Sequence, residues 1–161
     1  PINQQKFSVG LIFWVYAENG SNWQVHKMIQ KVPKNSIVFI SNINCEERSI
    51  IGDLVSKYLI IYKQCKGIVV LGNVRDVHKL KKENWPIWCQ GYNPEGCFNH
   101  YPEENTLKEN IEKHKMKYHH SIAVCDDTGV VIIPPKFHND EFILKLEEIE
   151  SKEDELSLIH I

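Results

Sequence analysis

Two short segments carry side chains that could do polar chemistry at close quarters. The first is Gly72-Asn73-Val74-Arg75-Asp76, directly after the apolar run GIVVL at residues 67–71. Glycine and asparagine tolerate positive φ, so a sharp turn is expected there. Arg75 and Asp76 would then stand at the start of a short helix. A guanidinium can hold a carboxylate by two parallel hydrogen bonds. A carboxylate can ligate a hard cation such as Mg²⁺, which takes few carboxylates and keeps several waters. The same pair also suits a plainer role, an aspartate complementing the helix dipole beside a surface arginine. The second segment is Gly52-Asp53-Leu54-Val55, inside a helical candidate at residues 46–64. Glycine inside a helix costs about 0.5–1 kcal/mol relative to alanine. Gly52 therefore marks a helix start, a close backbone approach or a kink. If the helix starts there, the amides of Leu54 and Val55 are unpaired donors at a positive dipole end, suited to an anion.

Other reactive residue types point less clearly to a site. The eight histidines include the adjacent pair His119-His120, but no HExxH or zinc-finger spacing is present. The five cysteines, Cys45, Cys65, Cys89, Cys97 and Cys125, form no CxxC pair and read as reduced thiols of a cytoplasmic protein. With 19 basic and 21 acidic residues, the formal charge of -2 gives no general drive toward nucleic acid or an anionic membrane. The lysines at 79, 81 and 82, and those at 108, 113, 115 and 117, read as solvated faces. No apolar stretch approaches the length of a membrane span. A length of 161 residues with a 42% hydrophobic fraction fits one domain over residues 1–161, with a core at about 7–150 and an acidic, frayed tail at 151–161.

The elements that must position these residues alternate along the chain. Residues 7–16 read as a buried strand stopped by Glu18-Asn19-Gly20, and residues 22–32 show apolar positions near helical spacing. Residues 36–43 hold the strand IVFI, 46–64 the long helical candidate, and 67–71 a third strand. Residues 74–82 form a short helix that Pro86 forbids from extending, and 86–89 a fourth strand. This order implies right-handed crossovers and a mainly parallel sheet with flanking helices. Continuous apolar strands fit burial on both faces. Residues 91–101 are rich in glycine, asparagine and proline and read as irregular. Residues 121–125 and 129–133 flank Asp126-Asp127-Thr128 as a C-terminal β-hairpin, and a helix follows at 137–149 with Phe142, Leu146 and Ile149 on one stripe. The fold class is therefore α/β. The ligand site of such a sheet lies outside the carboxyl ends of its strands, where Arg75 and Asp76 fall.

Four stretches in order resemble the family of the regulator of ribonuclease activity A and the metal-dependent pyruvate aldolases. Gly52-Asp53-Leu54-Val55 resembles its helix start, and residues 66–76, KGIVVLGNVRD, resemble its strand ending in Arg-Asp. Residues 86–94, PIWCQGYNP, and 121–131, SIAVCDDTGVV, resemble two further family stretches. The resemblance spans roughly residues 7–150. The sequence departs from the pattern in carrying Leu71 where an aspartate is frequent, and one extra residue between Asp53 and Arg75.

The resemblance implies a phosphohistidine-domain-like swivelling fold, assembled as a trimer or hexamer with the site between subunits. It implies a lyase that cleaves 4-hydroxy-4-methyl-2-oxoglutarate or a related 2-oxo acid and decarboxylates oxaloacetate, forming pyruvate through its enolate. Asp76 would bind the divalent metal, Mg²⁺ or Mn²⁺, and Asp53 would hold a water of its shell. Arg75 would contact the pyruvyl group, with the Gly52 turn and the amides of Leu54 and Val55 holding the carboxylate. A further acid would come from the C-terminal region of a neighbour, from among Glu147, Glu148, Glu150 and Glu153. The family also holds a branch that inhibits an RNA-degrading enzyme by protein contact. That branch tends to lose the aspartate after the arginine, which Asp76 retains here. A menaquinone methyltransferase role lacks the glycine-rich strand-to-helix loop it would need.

Overall fold

The structure is a computed structural model describing residues 1–101 and 107–159, with side chains described to residue 155. Pro102 and residues 160 and 161 lie outside the described residues. The first strand, β1 (Ser8–Glu18), leads into α1 (Trp23–Met28), which tightens into a single 3₁₀ turn at Ile29–Lys31. Then come β2 (Ile37–Ile43), β3 (Ser49–Ile51) and α2 (Asp53–Lys57). The helix α2 continues as a π-helical turn over Tyr58–Tyr62. The chain goes on through β4 (Gly67–Val74), α3 (Val77–Glu83), β5 (Ile87–Tyr92), α4 (Lys108–Tyr118), β6 (Ile122–Cys125), β7 (Val130–Ile133) and α5 (Asp140–Ile159).

These strands form one seven-stranded sheet in the order β3-β4-β2-β1-β6-β7, with β5 on the other side of β4. The pairs β1–β2, β2–β4, β3–β4 and β4–β5 are parallel, while β6 pairs antiparallel with β1 and β7. The expected α/β class, mainly parallel sheet and C-terminal hairpin and helix are present. The residues IVFI and GIVV are buried because helices cover both faces of β2 and β4. On one face Val15, Val38, Ile40, Ile68 and Val70 pack with Val25 and Ile29 of the α1 region, Leu59 and Leu80. On the other, Trp14, Phe39, Val69 and Trp88 pack with Ile111 and Tyr118 of α4.

Four local features differ from the sequence reading. Residues 46–64 are not one helix, because Ser49–Ile51 pairs with Asn73 and Val74 as a short strand and the helix begins only at Asp53. The backbone thus gains ladder partners that a helix through Gly52 would forgo. The sharp turn expected at Gly72-Asn73 is absent. The strand runs through both, Gly72 has φ +158, and the left-handed residue is Asp76, with φ 58 and ψ 31. Third, α4 carries too few apolar positions to announce itself, burying only Ile111 and Tyr118. The C-terminal helix also continues past Ile149 to Ile159.

The hairpin turn forms at the acidic residues as read. One Asp126 carboxylate oxygen accepts the Thr128 amide at 2.8 Å, the Thr128 hydroxyl at 2.6 Å and the Gly129 amide at 3.1 Å. All five cysteines are free thiols. Among the described residues no helix is long and apolar enough to cross a membrane.

Phe39 joins the sheet to α4, its ring stacked on Tyr118 with centroids 4.4 Å apart. Phe39→Ala removes both this contact and a side chain that is 2% exposed. We expect it to lower the unfolding free energy by about 3–5 kcal/mol, read as a fall in the urea midpoint without a change in slope.

Candidate functional site

The two sequence segments meet at the carboxyl edge of the parallel sheet. Strand β3 lies beside the end of β4, and the Arg75 amide donates to the Ile51 carbonyl at 3.1 Å. The next residue after Ile51 is Gly52, whose extended backbone any residue could adopt. Space is what demands glycine here. A Cβ at position 52 would collide with the Asp76 carboxylate and come within 2.9 Å of the Arg75 Cγ. At position 96 a Cβ would meet only the Arg75 guanidinium, the flexible end of a half-exposed side chain that would have to move aside. Arg75 therefore lies between two glycine backbones that no side chain separates from it.

Helix α2 begins against Asp76. The Asp53 amide donates to the Asp76 carboxylate at 3.2 Å, and the Ser56 hydroxyl and amide close the turn by donating to the Gly52 carbonyl at 2.8 and 3.1 Å. The left-handed backbone at Asp76 turns its side chain toward Gly52 while its carbonyl accepts the Lys79 and Leu80 amides at 2.9 and 3.1 Å. Aspartate is among the few residues that take this conformation at modest cost. The Arg75 Nε stands 3.9 Å from the Asp76 carboxylate, and the two side chains are 48% and 36% exposed. The cluster is open to solvent.

Lys79, one turn into α3, places its ammonium 3.1 Å from the Asp53 carboxylate. This contact, partly opposed by desolvation and helped by smaller contributions from Asp76 and the Leu54 amide, holds the Asp53 carboxyl below its ordinary range. The same pairing raises the Lys79 ammonium. Lysine at 79 had read only as part of a solvated face. Its placement one turn after Asp76 was the available signal, but nothing in sequence spacing tied it to Asp53.

A strap at residues 93–98, read from sequence only as irregular, holds Gly96 in place along β3. The Ser49 amide donates to the Glu95 carbonyl at 2.8 Å, the Cys97 amide to the Ser49 carbonyl at 2.9 Å, and the Ser49 hydroxyl to the Asn93 carbonyl. Arg48 clasps it, donating to the Gly96 carbonyl at 3.0 Å, pairing with Glu95 at 2.7 Å and lying 4.3 Å over the Phe98 ring. Leu54 and Val55 stand apart from Arg75. Their side chains line a cavity of about 510 Å³ with His26, Ile29, Gln30 and Tyr58 on the outer side of α2. The Leu54 amide faces the Asp53 carboxylate, so it is not a wholly free donor.

The donor set fits a hard cation in part. Asp76 and Asp53 bring two carboxylates to one edge, and Mg²⁺ takes one or two with water completing its shell. Among the described residues no group of three histidine, cysteine, aspartate or glutamate side chains could hold a metal.

Sheet and cluster together define an α/β protein with a polar site where two β-to-α turns meet at the carboxyl edge. The chain belongs to the RraA-like family, described as Aldolase/RraA, whose model matches residues 1–132. It is 32% identical over 107 residues, 66% of this chain, to protein DlpA of Legionella pneumophila, and that stretch is 17% of the relative's length. The chain thus spans about one sixth of the curated relative it matches. A solved structure of RraAS2 from Streptomyces coelicolor, described as an unusual member of the RNase ES inhibitor RraA family, superposes with a TM-score of 0.73 at 19% identity. It covers 99% of this chain and 81% of that one. The RNA-processing inhibitor RraA from Thermus thermophilus gives 0.64 at 16% identity, over 83% and 79% of the two chains. These likenesses confirm the fold. The family holds both aldolases and inhibitors of RNA-processing enzymes.

Because Lys79 depresses the Asp53 carboxyl, their pairing stabilises the fold above the ordinary carboxylate range and is lost as pH falls through the depressed value. Lys79→Met should bring the Asp53 titration back up toward the ordinary range. A carboxyl-carbon NMR titration of both proteins checks this, and an unmoved Asp53 would mean the ion pair is not populated.

Proposed function

We propose that this chain is a divalent-metal-dependent carbon–carbon lyase that forms pyruvate, acting on a small 2-oxo acid by retro-aldol cleavage or by decarboxylation of oxaloacetate. The observation that carries the reading is the closure at Gly52. It brings an arginine and two carboxylates from separate turns to one edge with no side chain between them.

Both reactions leave electron density on the 2-oxo oxygen as the bond to the third carbon breaks. In this reading the divalent ion, held through Asp76 with Asp53 at its water shell, supplies Lewis-acid polarisation when bound. Arg75 holds the pyruvyl oxygens in its planar fork and stabilises the developing oxyanion. The first turn of α2, with Gly52, Leu54 and Val55, gives amides for the substrate carboxylate. Lys79 keeps Asp53 ionised as an acceptor for a proton or a water. Its own ammonium is raised, the opposite of what a Schiff-base amine needs.

The second reading is a non-catalytic, protein-binding regulator of an RNA-degrading enzyme. Its support is the small donor set, with Lys79 already on Asp53, together with the inhibitor relatives.

The two separate by assay. Pyruvate release from oxaloacetate should depend on added Mg²⁺ or Mn²⁺ and stop on chelation. Asp76→Asn should lose ion affinity and turnover together. Arg75→Lys should leave ion affinity nearly intact while lowering the rate roughly 100-fold or more, if one lost oxyanion donor costs about 2.7–4 kcal/mol. Calorimetric ion titration beside pyruvate kinetics reads both. If Asp76→Asn binds the ion and turns over like the parent, the metal assignment fails and the regulator reading takes its place.

A further inference from the structure

Two of the five cysteines sit on separate segments that close the carboxyl edge. Cys45 follows β2 and opens the turn toward β3. Its amide donates to the Asn42 side chain at 2.8 Å, and its carbonyl accepts the Arg48 amide at 3.1 Å. Cys97 lies in the strap at 93–98, between two pinned neighbours. Gly96 bridges Ser49 on one side of it, and Phe98 bridges Ser21 on the other. The Phe98 amide donates to the Gly20 carbonyl at 2.8 Å, and the Gly20 amide to the Asn44 carbonyl at 3.1 Å. Side chains alternate along an extended segment. Phe98 lies under Arg48 and the bare Cα of Gly96 faces Arg75, so Cys97 turns the other way, onto the core cluster that holds Cys45. There the two thiols meet and share a hydrogen bond.

The surroundings set this pair apart from the other thiols. Cys45 is buried at the wall of a cavity of about 340 Å³, which Gly20, Asn44, Arg48 and Phe98 also line. Cys97 is half-buried. The Cys97 thiol, partly opposed by desolvation and helped by the Gly20 and Ile43 backbone, holds Cys45 below the ordinary thiol range. Cys97, the partner in that hydrogen bond, is raised in turn. Arg48 donates to the Gly96 carbonyl and Arg75 lies against Gly96, so two guanidinium groups stand beside the pair. An eased thiolate near cations, with a second thiol in reach, is the arrangement that oxidation selects. Burial pushes the Cys65 and Cys125 thiols up to about 12, and it raises Cys89 as well. Those three are poor nucleophiles beside it.

We propose that Cys45 and Cys97 form a reversible oxidation site for peroxide, closing to a disulfide that ties the strap beside Arg75 to the turn before β3. The Cys45 thiolate attacks one peroxide oxygen. An S–O bond forms, the O–O bond breaks, and the departing hydroxide takes the Cys97 thiol proton to leave as water. The Cys97 thiolate then attacks the Cys45 sulfenic sulfur. The S–S bond forms, the S–O bond breaks, and the second hydroxide leaves as water with a solvent proton. Each sulfur gives up one electron and the peroxide takes both. A thiol reductant reverses the bond by exchange. The strap carries Gly96 against the Arg75 guanidinium, so the oxidation state sets how firmly that edge is held. This applies to either reading of the edge, lyase or regulator.

The test treats the reduced full chain with a small excess of hydrogen peroxide and follows its intact mass. The parent should lose about 2 Da as one disulfide forms, and dithiothreitol should restore it. Non-reducing peptide mapping should find Cys45 linked to Cys97, with cleavage after Tyr92 separating Cys97 from Cys89. The oxidised parent should unfold at a higher temperature than the reduced one, because the link restrains the unfolded chain. Cys97→Ser should stop at the sulfenic acid, which dimedone captures on Cys45, and should show no rise in the unfolding midpoint. Mapping on the unaltered parent decides the matter even where a serine variant fails to fold. The proposal is overturned by a parent that keeps both thiols, by a link that involves another cysteine or joins separate chains, or by an oxidised parent no more stable than the reduced one.

Discussion

With Asp76 and Arg75 placed as they are, only a hydrogen fits on the Cα of Gly52, and the carboxyl edge of the sheet is arranged around that close approach. The close approach lets α2 begin against Asp76, so a carboxylate takes the Asp53 amide that a helix start would otherwise leave without a partner. It also lets Arg75 lie flat between the backbones at 52 and 96. An alanine methyl would push on both side chains together. The short strand β3 is what delivers Gly52 to this place, and its pairing with Asn73 and Val74 is thus part of the site as well as of the sheet.

The electrostatics follow from the same packing. Two carboxylates and two cations, Asp53, Asp76, Arg75 and Lys79, meet at one edge. Their charges sum to zero, so the cluster neither attracts nor repels ions over long range. Its selectivity has to come from geometry. Lys79 holds Asp53 ionised, yet it also occupies the oxygen that a cation's water would approach. Any ion entering here displaces or shares that contact. An exposed lysine–carboxylate pair is worth little, so the competition is one a divalent ion can win.

Much of this was legible in the sequence, for identifiable reasons. The strands IVFI and GIVVL announce themselves because burial on both faces removes any alternation. Gly52 announces an interruption because glycine is a poor choice inside a helix, and of the helix start, close approach or kink that it left open, the structure has the first two. Arg75 and Asp76 fall at the carboxyl edge because a parallel sheet places its turns there. The missed parts share a different cause. Strand β3 is three residues long and gains its identity from β4, not from its own pattern. The left-handed residue is Asp76 and not the Gly72-Asn73 pair, because β4 continues through those two to pair with β3 and β5. Arg48, Gly96 and Lys79 reach the site across long sequence separations that periodicity cannot encode. Helix α4 hides because it shows the core only Ile111 and Tyr118, with lysines and glutamates elsewhere.

The openness of the cluster limits what one chain can do alone. At about 4 Å, two unit charges interact by about 1 kcal/mol in bulk water and about 4 kcal/mol at the effective dielectric near a protein surface. Electrostatic stabilisation of a developing oxyanion is large only where water is excluded. Arg75, half-exposed in the single chain, lies near the weak end of that range. A lyase built on it needs a surface that closes over the guanidinium and excludes water. The face that leaves Arg75 open to solvent is therefore the one that such a lyase has to cover.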